Sequence, residues 1–486
     1  MHWLDLISRF WPHLAAGFDF LAALLASVHI LLHKRDSRAA TLWIGFVWLM
    51  PVAGALLYLA FGVNRIRRRA VALGVHGTFT RPVPDNLGEP EHDGAEHLKH
   101  IARVVDRMAS HPLTAGNKIA PLVNGDEAFP AMLAAIESAQ KSISLCTYIF
   151  DNDATGKKFV AALGRAVRRG VEVRVLIDSA GARYSWPPIT RKLRQAGVNT
   201  ARFLPSLAPW RVATINLRNH RKSLITDGQL AFTGGMNIRQ GNVLDDLPKS
   251  PVQDLHFRIE GPLVGQLQEA FANDWAFTTG ETLDGEIWFS RSESRLKAEL
   301  QTTGDVIGRV ITDGPDADFE KARLTLLAAL AEAQVSVRIL TPYFLPDNSL
   351  ITALNLAALR GVRVDIILPA KNNLPFVHWA SRALWWQVLE RGCRVWLTPP
   401  PFDHSKLMIV DGHWVLLGSA NWDARSLRLN FELNVECYGR EFALEMEQVI
   451  EKKISAAREV TLAEADGRSL PAKLRDALAR LFSPYL

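Results

Sequence analysis

Apolar residues fall into two regimes along this chain. Near the N-terminus they form long runs. Ala40–Phe61, ATLWIGFVWLMPVAGALLYLAF, has no charged residue in 22 positions, long enough to cross a bilayer as a helix. Trp11–Leu32 is a weaker span, interrupted by His13, Asp19 and His29, and could be tilted or partly interfacial. The short connection HKRDSRA makes the pair a transmembrane helical hairpin over residues 1–70. A cleaved signal peptide is the rival, and a second apolar span directly behind the first argues against it. Residues 71–116 are polar, with RPVPDNLGEPEHDG in the middle, and read as a linker.

From about Gly116 the pattern changes to apolar runs alternating with helical segments, which predicts an α/β fold with buried strands. Met132–Phe150, Lys158–Asp178 and Arg191–Leu204 each read as a helix followed by a strand. The same three units recur in the same order at Leu324–Phe344, Leu350–Ala370 and Trp385–Leu397. The body is therefore a duplication, with one repeat over 117–290 and the other over 291–486, packed face to face about a pseudo-two-fold axis.

Each repeat then reaches the same polar signature. Asn219–Ile238 reads NHRKSLITDGQLAFTGGMNI, and Phe402–Ser426 reads FDHSKLMIVDGHWVLLGSANWDARS. Aligned, His220, Lys222, Asp227, Gly235 and Asn237 match His404, Lys406, Asp411, Ser419 and Asn421. One H-x-K-x-x-x-x-D is a weak signal, but two at equivalent places with matching tails form a strong one. Residues i and i+2 of a strand share a face, so each His–Lys pair points one way, at a strand end. Two lysines and two asparagines can clamp phosphate oxygens, with Gly235 and Ser419 in turns that let backbone approach closely. One imidazole can attack phosphorus while the other protonates the leaving oxygen. A lysine inside the motif opposes a bound cation, so no metal is assigned. Asp227 and Asp411 precede glycine between two apolar strands. They read either as part of the catalytic set or as turn residues of a hairpin. A nucleophilic imidazole needs an acceptor on its second nitrogen. Asp254 is assigned to orient His220, and Glu432 to orient His404.

Charge changes the picture modestly. The net charge of +6 suits an anionic partner, whether nucleic acid, membrane surface or phosphate ester. Arg9, Arg65, Arg67, Arg68 and Arg69 outnumber Lys34, Arg35 and Arg38 of the connecting loop, which puts the body in the cytoplasm. Three scattered cysteines give no disulfide framework.

The doubled H-x-K-x-x-x-x-D motif resembles the phospholipase D superfamily. YIFDND, FTGGMNI, RIEGP, TPYFLPD, GSANWDARS, LNFELN and the N-terminal PVAGALLYLAFG look like bacterial cardiolipin synthases over nearly the whole chain. The resemblance implies a cofactor-free, multi-pass enzyme of the bacterial inner membrane that acts on phospholipid, without nucleic acid. In that family a phosphatidyl group passes between two phosphatidylglycerol molecules through a phosphohistidine, giving cardiolipin and glycerol. His220 would be the nucleophile and His404 the acid, then base. The alternatives are a phospholipase D that hydrolyses phosphatidyl esters and a membrane-tethered nuclease. Departures from the family pattern are FDHSK around His404, where Asp403 could raise that imidazole's pKa or be a bystander, and two aromatic-bearing stretches. Trp379, Trp385 and Trp386 form either a lipid-facing wall or helix core, and SLAPWR (Ser206–Arg211) resembles an exposed interfacial loop.

Overall fold

A computed structural model describes residues 2–34, 37–62, 95–205, 217–289, 304–315 and 320–483. Residues 71–94 of the expected linker, the arginines at 65 and 67–69, Arg35, the loop Ser206–Arg211 and the boundary at 290–291 lie outside them. So do the side chains of Arg9 and Arg38. The chain forms two compact units.

The N-terminal unit reverses the expected ranking of the two spans. The weaker one lies in a single continuous helix, His2–His33. Its segment Phe10–His33, with mean hydropathy 1.9, is the one described helix long and apolar enough to cross a membrane. The stronger run is broken into helices Ser37–Leu49 and Pro51–Leu57 and a wide turn, Tyr58–Gly62. Proline disfavours helical backbone in the residue before it, and Met50 sits at φ −138°, ψ 75° ahead of Pro51. Hydropathy reports side chains, whereas helix continuity depends on the backbone ladder. Ala23, Ala26, Ile30, Ala40, Val47 and Tyr58 pack the helices together, and the small residues permit close approach. Trp48 Nε1 donates to Ser27 Oγ across the pair (3.1 Å). Leu14, Phe18, Leu25, Leu31, Leu42 and Leu56 are exposed, so the outside is apolar too.

In the body the duplication is explicit. The first repeat orders its strands Asn199–Phe203, Glu172–Asp178, Ser142–Thr147, Ser223–Thr226, Leu230–Gly234, Leu255–Glu260 and Thr114–Val123. The second continues with Val306–Asp313, Asn430–Tyr438, Trp414–Gly418, Leu407–Val410, Ser336–Leu340, Arg363–Pro369 and Arg394–Thr398, and adds Arg458–Val460 at the edge. The second repeat thus mirrors the first. The repeats are also hydrogen-bonded edge to edge, through antiparallel pairing of Thr114–Val123 with Val306–Asp313. That first strand begins three residues before the expected boundary at 117.

The tail of the expected linker is structured. Lys99–Asp106 is a helix, and Leu98, Ile101, Ala102 and Val105 join the second repeat's core. Their i, i+3, i+4, i+7 spacing is an amphipathic signal hidden by the polar residues around it. Each such large side chain removed from water contributes about 2 kcal/mol. Arg309, fully buried, ties this helix to the sheet by pairing with Asp106 and Glu436.

Candidate active site

Each His–Lys pair lies just outside a strand, in a short extended link between two strands with different allegiances. His220–Lys222 joins Arg218–Asn219 to Ser223–Thr226, and His404–Lys406 joins Phe402–Asp403 to Leu407–Val410. The shorter strand of each link pairs with the other repeat: Arg218–Asn219 runs parallel to Asn430–Phe431, and Phe402–Asp403 to Val252–Gln253. The pairing continues one bond further. His220 N–H donates to Phe431 O (2.9 Å) and His404 N–H to Gln253 O (2.8 Å). The next residue on each partner strand is a carboxylate, and it meets the imidazole. His220 Nδ1–H donates to Glu432 Oε2 at 3.0 Å, and His404 Nδ1–H to Asp254 Oδ2 at 2.8 Å. The two carboxylates therefore do orient the histidines, but in the opposite pairing to the one expected. Parallel cross-repeat strands carry each carboxylate to the other repeat's imidazole, which no within-repeat spacing reveals.

The two imidazole rings lie 6.4 Å apart, at 81° to one another. Among the described residues, neither Nε2 has a hydrogen-bond partner. An Nδ1–H bound to a carboxylate leaves the lone pair on Nε2, the form a nucleophile requires. Lys222 Nζ donates to His220 O (2.6 Å), and Lys406 Nζ bonds to His404 O while lying 3.0 Å from His404 Nδ1. Both lysines are buried.

Burial sets the electrostatics. It pulls Lys222 down to about 7, helped by the like charge of Lys406, and pulls Lys406 down to about 8. It lowers His220 against the attraction of Glu432, and with Lys406 it lowers His404 to about 4. Burial pushes Asp254 and Glu432 up, yet the imidazoles and lysines beside them hold both below the ordinary carboxylate range. The site thus holds two neutral imidazoles, two carboxylates and two ammonium ions near their titration points. An anion between the lysines favours their protonated forms.

The remaining expected site residues divide. Asn237 Oδ1 accepts from Ile149 N–H (3.1 Å), and Asn421 Nδ2 donates to Ser426 Oγ (3.1 Å); both side chains are buried. Gly235 and Ser419 do not present phosphate-binding amides, because their N–H groups donate to Leu255 O (3.1 Å) and Leu433 O (2.9 Å). Ser419 Oγ donates instead to Glu432 Oε2 (2.5 Å), and a Cβ on Gly235 would lie 2.2 Å from Asp254 Oδ1. Both positions shape the carboxylates.

Asp227 and Asp411 stand at the far end of the motif strands, about 20 Å from the histidines at the strand rise of 3.3 Å per residue. Asp227 accepts from the N–H groups of Gln140, Lys141 and Ser142. Asp411 accepts from Gln334, Val335 and Ser336, and also binds His97 Nε2 (2.7 Å). Both have positive φ, at 54° and 52°. They are turn anchors, and the catalytic alternative fails for want of proximity. Asp403 turns to Lys453 and Ser405 rather than to His404.

Two tyrosines escaped the sequence reading. The Tyr148 ring lies 5.2 Å from that of His220, and the Tyr343 ring 6.2 Å from that of His404. CTYIF and TPYF hold equivalent places after a strand in each repeat, a signal the motif letters overshadowed. His256, buried against Gly234, is pushed by burial to about 4 and stays neutral.

A doubled fold with a His–Lys pair from each half, meeting at one site, defines a phospholipase D-type protein. The solved structure of Haemophilus influenzae phosphatidylserine synthase shares this fold, with a TM-score of 0.61 and 15% identity over 79% of this chain and 100% of that one. The family model described as cardiolipin synthase, phospholipase D-like domain, matches residues 132–275 and 326–454, and a phospholipase D-nuclease N-terminal model matches 21–62. Cardiolipin synthase 1 of Bacillus anthracis is 30% identical over 98% of this chain and 93% of its own length. Cardiolipin synthase A of Pseudomonas putida is 30% identical over the full length of both. The chain belongs to the cardiolipin synthase family.

Proposed function

We propose that this enzyme transfers a phosphatidyl group from one phosphatidylglycerol to the hydroxyl of another, giving cardiolipin and glycerol. The crossed His–carboxylate pairs carry the reading. They leave two free Nε2 atoms facing one small site, one for each proton-coupled half of a double displacement. Phosphodiester oxygens sit between Lys222 and Lys406, with Asn237 and Asn421 alongside. His220 Nε2 attacks phosphorus. The bond from phosphorus to the leaving glyceryl oxygen breaks, and His404, in its imidazolium form, gives that oxygen a proton. His404 then takes the proton of the second phosphatidylglycerol's headgroup hydroxyl, whose oxygen displaces His220 from phosphorus. Glu432 and Asp254 stabilise the positive charge that builds on each ring in turn. The phosphate's own charge counters the depression of His404 toward 4 and lets it hold that proton.

The apolar helix Phe10–His33 supports attachment to the membrane. In this reading the anchor is multi-pass in the bacterial inner membrane, the excess of arginines flanking the spans puts the body on the cytoplasmic side, and the substrate is phospholipid rather than nucleic acid. Purified protein in micelles of phosphatidylglycerol is expected to yield cardiolipin and glycerol in equal amounts. Phosphatidic acid as the sole product would overturn the transfer reading in favour of hydrolysis. His220→Ala and His404→Ala should each abolish turnover.

A further inference from the structure

The C-terminal helix Leu470–Arg480 is inverted relative to an ordinary surface helix. Its inward face carries Asp476 and Ala479, and its outward face carries Leu470, Leu474 and Leu478, exposed by 69, 62 and 59%. Leu481 and Phe482 extend the stripe past the helix end. The helix is held down by polar bonds: Asp476 is fully buried and pairs with Arg468, Arg475 and Arg382. Arg475 also lies over the Trp379 ring at 4.5 Å. A water-facing helix places leucines inward and charge outward. Here charge anchors the helix and the leucines are left for something outside.

The stripe is flanked by cation. At 100° per residue, Arg475 falls on one side of Leu474 and Leu478, and Lys473 and Arg480 on the other. A cleft of about 570 Å³ beside it is lined by Trp386, Arg468, Lys473 and Arg480, together with Glu390 and Asp466. An apolar face bordered by basic residues is the pattern of a helix lying in the plane of an anionic bilayer surface. The stripe is also continuous with the histidine site. Phe482 meets the Phe376 ring at 5.6 Å, and Leu374 and Phe376 are themselves part-exposed. One residue before Leu374, Asn373 accepts from the Tyr343 hydroxyl (2.9 Å), and the Tyr343 ring lies edge-on to that of His404. Trp385 of the same region is helix core, while Trp386 is 40% exposed.

The geometry points to a second membrane contact: the stripe Leu470–Phe482, with the lip Leu374–Phe376, seats the catalytic body on an anionic phospholipid surface. Acyl chains then stay in the bilayer while the headgroup phosphate reaches the histidines. This use of the surface rests on the phosphatidyl-transfer reading, but its location at the bilayer does not.

The full-length chain tests it, because its natural cysteines, Cys146, Cys393 and Cys437, are all buried. Spin labels on Leu474→Cys and Leu478→Cys, in vesicles of phosphatidylglycerol, should collide more with dissolved oxygen than with a water-soluble nickel chelate. A label on Arg168→Cys should show the reverse order. Phosphatidylcholine vesicles should bring the two labels back toward water. Chelate-accessible labels in phosphatidylglycerol would overturn the proposal. So would lipid-independent dipolar broadening between labels, which would assign the face to a second copy of the chain. As an independent arm, Leu474→Ser with Leu478→Ser should lower turnover of long-chain phosphatidylglycerol in vesicles by about tenfold, since two apolar anchors are lost. Turnover of a dispersed short-chain phosphatidylglycerol should be unchanged. Equal loss on both substrates would overturn the surface role. The label measurement requires no product, so a failed transfer assay and a failed membrane contact remain distinct results.

Discussion

Removing one carboxylate should silence the histidine of the opposite repeat. Consider Glu432→Gln. Glu432 is fully buried, and its Oε2 accepts from His220 Nδ1–H at 3.0 Å and from Ser419 Oγ at 2.5 Å. Its Oε1 accepts from Asn430 Nδ2 at 3.0 Å. The amide keeps the volume and can keep one acceptor, so the fold survives while the negative charge is lost. That charge matters when His220 becomes cationic on bonding to phosphorus. Two unit charges about 4 Å apart, at an effective dielectric of about 20, attract by about 4 kcal/mol. A charge-assisted hydrogen bond has a net worth of about 1.5–3 kcal/mol. These describe the same contact, so about 3–4 kcal/mol is the expected loss, or about 10²–10³ in rate at 1.36 kcal/mol per decade. The assay is rapid quench with labelled phosphatidylglycerol, followed by peptide mapping of the acid-labile phosphohistidine. With the label on His220, Glu432→Gln should slow its appearance by that factor. Asp254→Asn should weaken proton transfer by His404, to the leaving oxygen and from the acceptor alike. If the label falls on His404, the assignments exchange together. In either case loss of the carboxylate that holds the labelled histidine, which lies in the opposite repeat, should slow label formation more than loss of the other carboxylate, and the reverse order would refute the crossed arrangement.

Other outcomes follow from the same geometry. Asp227→Asn and Asp411→Asn should each lower stability by about 2–3 kcal/mol, by weakening a charged acceptor shared by three backbone N–H groups, with turnover per folded molecule retained. Thermal unfolding in detergent beside a specific-activity assay checks this, and a stable but inactive variant would return the residue to the chemistry. Gly235→Ala should cut activity by about 10² or more, because Asp254 must move to admit the methyl and a displacement near 1 Å costs that much in a positioned site. Ser419→Gly, which deletes a hydroxyl that donates to Glu432 and accepts from Leu433 N–H but forces no displacement, should be milder, and equal losses would refute this asymmetry. The rate at low substrate should fall as pH rises through about 7–8, where the free enzyme's lysines lose their protons. Both pKa values lie below the ordinary lysine value, so the protonated, phosphate-holding form is the low-pH form. Because the lysines are coupled, the limb reports the pair. An alkaline limb no lower than pH 10 would show that burial does not depress them.

Side-chain order along the chain determined the class of fold and most of the site. The alternation of apolar runs fixed the βα units, and the recurrence of three units and one motif fixed the duplication, since periodicity is a local property. His220, Lys222, His404 and Lys406 were legible for the same reason, as were Asp254 and Glu432 as the carboxylates downstream. What they bind to was not legible. Which imidazole each carboxylate holds depends on two short parallel pairings between repeats, Arg218–Asn219 with Asn430–Phe431 and Phe402–Asp403 with Val252–Gln253. Such contacts join residues more than 140 positions apart and leave no periodic trace. The aspartates of the motif needed the same information, because a turn anchor and an acid share one letter until the distance to the histidines is known. The helix at Lys99–Asp106 passed for linker because its apolar face is partnered by a core laid down over 200 residues later. Leu470–Phe482 shows the converse: leucines at i, i+4 and i+8 share one helix face that ordinarily turns to a core, and the fold, by burying Asp476 in their place, turns them outward.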